Sequence, residues 1–171
     1  MINFKKTNLE DVHLLSEISK QSFIASHGHS ASIEDIEQYI KQNFSIEILQ
    51  NEIKDTNTIF HFIYDNTTVA GYSKIVLDED LPILNKQKVT KLSRLYLLPE
   101  YKGKGIGLPL LDFNIQFSKN KKQQGMWLFV WKENHGAVNF YLKNNFKIVG
   151  SYDFKISETH TNPNHVMSLT F

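Results

Sequence analysis

Apolar residues recur at helical spacing through the first third of the chain and mostly at strand spacing afterwards. The opening "INFK" at 2–5 predicts a short first strand, after which Thr7 or Asn8 caps a helix striped by Val12, Leu15, Ile18 and Phe23. "SHGHS" at 26–30 breaks that stripe, and Ser32, three residues ahead of Asp35, restarts it as a near relative of the capping box. A third helical piece over 45–53 sets Ile46, Leu49 and Ile53 on one side. From 58 the period shortens: "TIFHFIY" and "TVAGYSKIVL" alternate around "DNTT", where Asp65 and Asn66 suit a turn, so an antiparallel hairpin is expected.

"LPILNKQK" at 81–88 reads as a surface loop, and "VTKLSRLYLL" at 89–98 as a long apolar strand. It leads into "YKGKGIGLPLL" at 101–111, then a helix over about 106–120, a strand over 126–131, a helix over 136–145 and strands over about 146–157 and 165–171. "HTNPNH" at 160–165 is expected to be a turn, and "KNKK" at 119–122 a solvated helix end. Strands alternating with helices imply a mixed α/β (α+β) architecture, and 171 residues suffice for a single domain over 1–171.

Charge and composition narrow the partners. With 19 Lys and Arg against 18 Asp and Glu the formal net charge is +1, too little to concentrate nucleic acid or an anionic membrane surface. The absence of cysteine excludes a disulfide framework, a thiolate nucleophile and cysteine-ligated zinc, and fits a reducing cytoplasm. The first residues lack the apolar core of a secretory signal, and "MWLFVW" at 126–131 is far short of the roughly 20 residues of a membrane helix. Seven histidines without carboxylates or cysteines at zinc spacing give no metal site.

The glycine loop carries the most definite chemistry. A dinucleotide fingerprint starting at Gly103 needs glycine at 108, which is Leu108, and a P-loop has no match. What remains is a strand, then Lys102-x-x-Gly105-x-Gly107, then a helix with Pro109 in its first turn. Glycines let the backbone approach a ligand closely, and their N–H groups with the helix N-terminus form a positive cradle for pyrophosphate. Taken alone, the same residues also read as a glycine-rich turn with Lys102 and Lys104 in solvent.

A second pattern decides between them. "LYLLPEYKGKGIGLPLL" together with "WKENHGAVNFYLKNNFKIVGS" resembles the GCN5-related N-acetyltransferases (GNAT): the first looks like their acetyl-CoA motif, the second like their N-x-x-A-x-x-x-Y segment, with Asn134, Ala137 and Tyr141 at the matching places. Lys102 stands where Arg or Gln is commoner, exchanging a planar fork for a point charge. "QSFIASHGHSASIEDIEQYIKQNFS" and "FKISETHTNPNHVMSLTF" resemble the PaiA-type spermidine/spermine acetyltransferases, so the likeness spans nearly the whole chain.

The resemblance implies a central mixed, mostly antiparallel sheet of about seven strands, splayed between the fourth and fifth and flanked by helices. It implies acetyl-CoA as co-substrate, with main-chain contacts from Leu95, Tyr96 and Leu97 to the pantetheine arm and from Lys102, Gly103, Lys104, Gly105, Ile106 and Gly107 to the pyrophosphate. Asn134 would touch the CoA arm or cap the helix after it. Tyr141 would donate a proton to the leaving thiolate; its other reading is packing with Phe140 and Phe146. Where the family often has a glutamate, this chain has Ser93, which leaves the base open. His27 reads as a helix-end or acceptor-pocket contact, and Glu34 and Asp35 either attract a cationic amine or serve as first-turn charges. The expected reaction is direct acetyl transfer to a small primary amine such as spermidine or spermine. A protein N-terminus or lysine as acceptor, and a non-catalytic CoA-binding domain, stay open, as does a homodimer.

Overall fold

The computed structural model describes residues 1–81, 84 and 88–171, so the loop expected over 81–88 lies largely outside the described residues. Among these the sheet has seven strands: β1 (Ile2–Lys6), β2 (Thr58–Asp65), β3 (Thr68–Val76), β4 (Thr90–Leu97), β5 (Gly125–Trp131), β6 (Lys147–Lys155) and β7 (Thr161–Thr170). Their order is β1-β2-β3-β4-β5-β7-β6, and every neighbouring pair is antiparallel except β4 and β5.

The helices form where the apolar stripes predict. Asn8, rather than Thr7, makes the first cap: its side chain accepts from Glu10 and Asp11 reaches back to its N–H, closing a capping box on a short 3-10 turn before α1 (Val12–His27). Ser32 caps α2 (Ile33–Phe44) by accepting from the Asp35 N–H at 3.2 Å. α3 (Ile46–Lys54), α4 (Gly107–Asn120) and α5 (His135–Lys143) complete the set.

β2 is buried on both faces, which divides the core into two layers. Phe60 and Phe62 face α1 and α3 with Val12, Leu15, Ile18, Leu49 and Tyr72. Ile59 and Ile63 face the other way, towards α4. A third cluster of Phe23, Ile36, Phe44 and Ile156 ties α1 and α2 to the far end of β6.

The expected turn at 160–165 is instead the beginning of β7, with Asn162, Pro163 and Asn164 paired to Phe154, Asp153 and Tyr152. Proline is tolerated there because the Pro163 carbonyl accepts from Lys132 N–H just past the end of β5. In an antiparallel ladder the missing N–H would point to that same side, where no strand continues to need it.

His61 lies on the α4 face of β2, 2% exposed, edge-on to Phe113 and Phe117 at 4.8 and 5.0 Å. Burial, with the charge of Lys6 adding to it, lowers its pKa to about 4. The unfolded chain takes up this proton near 6.5 and the folded chain only near 4, so stability is full above 6.5 and is lost as pH falls through that window. The loss amounts to about 3 kcal/mol. Urea midpoints measured from pH 7.5 to 4.5 should fall accordingly, and His61→Phe should remove its share of that slope, with the other buried imidazole, His27, carrying a comparable one; an unchanged slope would place the acid sensitivity elsewhere.

Candidate active site

Among the described residues β4 and β5 pair at Thr90–Met126 and Lys91–Trp127 alone. Beyond that point they part. The β3–β4 register passes from Lys74–Arg94 to Ile75–Leu92, so Ser93 is an extra, bulged residue that bends β4 away from its parallel neighbour. The resulting gap leaves one edge of β4 without a strand partner.

Backbone geometry fixes which groups face the gap. Leu98 N–H donates to Ala70 on the β3 side at 2.9 Å. Because successive residues of a strand alternate, the N–H and C=O groups of Leu97 and Leu95 point the opposite way, into the gap, while those of Tyr96 belong to the β3 ladder. The expected main-chain contact from Tyr96 is therefore replaced by its side chain, which meets His27 and Tyr72 on the α1 side of the sheet.

After β4 the chain makes a 3-10 turn at Pro99–Tyr101 and enters the glycine loop. Gly103 and Gly105 both have φ of +76°, and a Cβ built on either would meet nothing within 4 Å. The loop is thus an open concavity in a conformation that favours glycine, set at the N-terminal end of α4. These features fit a pyrophosphate carried on a thin pantetheine arm that lies in the adjoining gap. Ile106 packs inward with Ile63, Ala70 and Leu110, so it can offer only main-chain groups, and the exposed Lys104 lies over the Tyr101 ring at 5.5 Å. Lys102 instead reaches α1, donating to Ser26 Oγ at 2.9 Å.

A cavity of about 1040 Å³ runs from this loop through the gap to the α1–α2 side of the sheet. On the loop side it is lined by Gly103, Gly105, Gly107, Asn134, Ala137 and Tyr141. Asn134 caps α5, accepting from Ala137 N–H at 3.2 Å, and also lines the cavity. Tyr141 likewise packs edge-on to Phe140 and Phe146 while lining the cavity, and burial raises its phenol above the ordinary value, so it stays a proton donor.

The far side holds residues that the sequence pattern did not single out. Glu52 from α3 receives Lys74 Nζ at 2.5 Å and Arg94 Nη1 at 3.5 Å, and the Arg94 guanidinium lies 4.7 Å from the Phe44 ring centre. Tyr39, Asn43 and Asn164 line the same half. The available signal was charge inside apolar strands: Lys74 and Arg94 interrupt β3 and β4 where an ordinary core has none. His27 sits here too, stacked on Phe23 at 5.0 Å. Burial first, then the charges of Lys102 and His29, lower its pKa to about 4, so it is neutral at pH 7.

Glu34 and Asp35 are absent from the cavity wall. Both lie in the first turn of α2, where Asp35 accepts from Ser32 Oγ at 2.9 Å, so of their two expected roles the structure carries the helix-terminal one. Among the described residues no cluster of His, Asp and Glu is arranged to hold a metal ion, and no helix is long and apolar enough to cross a membrane.

Comparison with known proteins agrees with this geometry. The sequence model of the Acetyltransferase (GNAT) family matches residues 13–146. Spermidine N(1)-acetyltransferase of Thermoplasma acidophilum is 32% identical over 154 residues, covering 86% of this chain and 89% of that protein. The crystal structure of the PaiA N-acetyltransferase from Thermoplasma acidophilum in complex with coenzyme A superposes with a TM-score of 0.79 at 27% identity, covering 100% of this chain and 99% of that one. Spermidine/spermine N-acetyltransferase SpeG of Vibrio cholerae, at 17% identity and a TM-score of 0.69 over 99% of this chain and 95% of that one, shares the fold. The chain thus belongs to the GNAT family of acetyl-CoA-dependent N-acetyltransferases.

Proposed function

We propose that the chain transfers acetyl to a small primary amine by direct attack within a ternary complex, with Tyr141 as the acid. Acetyl-CoA supplies the acetyl group as a thioester. The observation that carries the reading is the meeting, in one cavity, of the β4 edge, the glycine loop and the Tyr141 phenol. N–H groups of Leu95 and Leu97 are aimed where negative charge develops on the carbonyl oxygen. The protonated Tyr141 phenol is available to the departing sulfur. His27 and Asn164 also line this cavity.

A small acceptor is favoured over a peptide by the roof of the far half. Asn162 donates to Ser30 Oγ at 2.9 Å, and the His160 ring pairs with the Ser30 carbonyl at 2.8 Å, closing β7 onto the α1–α2 connection. Spermidine or spermine is the finer reading suggested by the name of the Thermoplasma relative. Its distal ammonium would need Glu52, the one carboxylate on the described wall, which Lys74 and Arg94 already share.

Thiol release from acetyl-CoA across polyamines, amino acids, aminoglycosides and N-terminal peptides tests the proposal. Turnover with small amines alone is expected; turnover confined to peptides, or none at all, removes it. For any amine accepted, kcat/KM should climb with pH as the amine loses its proton, without an inflection near 6.5, because His27 is already neutral there. No fall is expected up to pH 10, because the Tyr141 phenol keeps its proton beyond that. An inflection near 6.5 would bring an imidazole into the proton transfer.

A further inference from the structure

The acceptor half of the cavity carries an unbalanced charge. One carboxylate, Glu52, faces two cations, Lys74 and Arg94, and His27 adds none at neutral pH. Lys91 stands further along the same strand, its Nζ over the Trp127 and Phe129 rings, and no second carboxylate lines the wall among the described residues. A site built to attract a polycation would carry the opposite balance.

Arg94 is the least satisfied member of this group. It is 9% exposed, and among the described residues its guanidinium makes one side-chain hydrogen bond, the 3.5 Å contact to Glu52. A guanidinium has five N–H donors in a rigid fork, and burying them without acceptors is costly. Lys74 holds Glu52 at the closer distance, and Arg94, with no other side-chain hydrogen-bond partner among the described residues, lines the cavity. The ring of Phe44 supports its flat face, and the fork matches a planar carboxylate better than a spherical anion.

We propose that Arg94 is an acceptor-binding residue and that the acceptor is an amine bearing a carboxylate, held by the Arg94 fork in the cavity that Tyr141 also lines. The single positive charge left over from Glu52, Lys74 and Arg94 is neutralised by one carboxylate. Aromatic walls from Phe23, Tyr39 and Phe154 take the carbon chain between the two ends. This assignment rests on the proposal of a small primary amine as acceptor and specifies its class.

The test compares matched pairs at saturating acetyl-CoA: lysine with cadaverine, ornithine with putrescine, and 4-aminobutyrate with propylamine. Members of each pair differ only by the carboxylate. For at least one pair, kcat/KM for the amino acid should exceed that of its partner by about 10- to 100-fold, the range for hydrogen bonds to a charged group. In Arg94→Gln that ratio should fall towards one. Equal or better use of the diamines, propylamine or spermidine by the native enzyme overturns the proposal, and this arm needs no variant to fold. A ratio that persists in folded Arg94→Gln also overturns it, since the carboxylate would then be read elsewhere. Titration calorimetry with glutarate in the presence of saturating CoA separates the two proposals. Binding to native protein but not to Arg94→Gln, with no amine acetylated, would sink acetyl transfer to small amines and keep the carboxylate site. Amine turnover with neither carboxylate preference nor glutarate binding would do the reverse.

Discussion

Tyr141→Phe should lower kcat about 100-fold while leaving CoA affinity and stability nearly unchanged. The ring is 8% exposed and keeps its edge contacts to Phe140 and Phe146 at 5.3 and 5.4 Å, so the substitution takes nothing from the core. Among the described residues the hydroxyl has no hydrogen-bond partner, so none is orphaned by its removal. What disappears is a phenol that burial keeps protonated beside the cavity. A positioned acid contributes about 10²- to 10⁴-fold, and a thiolate, with a conjugate acid near 8.5, is already a tolerable leaving group, which sets the low end. Because the interaction is made in the transition state, kcat and kcat/KM should fall together. Single-turnover and steady-state rates close to native would return Tyr141 to a packing role and leave catalysis to main-chain N–H groups and positioning.

Gly105→Val should weaken CoA binding more than tenfold, about 1.4 kcal/mol or more, in a protein that still folds. Two effects act in the same direction. Gly105 has φ of +76°, where a β-branched residue is strongly disfavoured, so the loop must leave the conformation that shapes the cradle. The added carbons would also point into space that is open in the protein and that the expected pyrophosphate would occupy. Since nothing lies within 4 Å of that Cβ and the loop is exposed, the core has no reason to rearrange. Calorimetric titration of the folded variant decides the matter: unchanged CoA affinity would detach the loop from the cofactor.

The two substitutions probe parts of the site that differ in how legible they were. Local patterns carried the elements and the cofactor end. Apolar stripes placed α1, α2 and α3, Ser32 announced the start of α2, and a strand-glycine-helix sequence marked the cradle, because each depends on residues within a few positions of one another. Asn134 and Tyr141 were singled out by resemblance to a family motif, and they stand at the cap and in the body of α5.

The acceptor end was not legible, because its residues come from separate elements. Glu52 lies at the end of α3, Lys74 in β3 and Arg94 in β4, 42 positions from Glu52, and only the register of the sheet and the packing of α3 against it bring them to one wall. Glu34 and Asp35 show the converse: an acidic pair prominent in sequence that serves the first turn of α2 and does not line the cavity. The expected turn at 160–165 became a strand because its partners, β5 and β6, supply ladder positions that a local reading of Asn and Pro cannot see. The sequence by itself therefore determined the helices, the hairpin and the glycine loop, all of them written in short-range spacing. Only the tertiary structure decided the splay at Ser93, the direction of the Leu95 and Leu97 amides and the charge of the acceptor pocket, since each arises from contacts between segments distant along the chain.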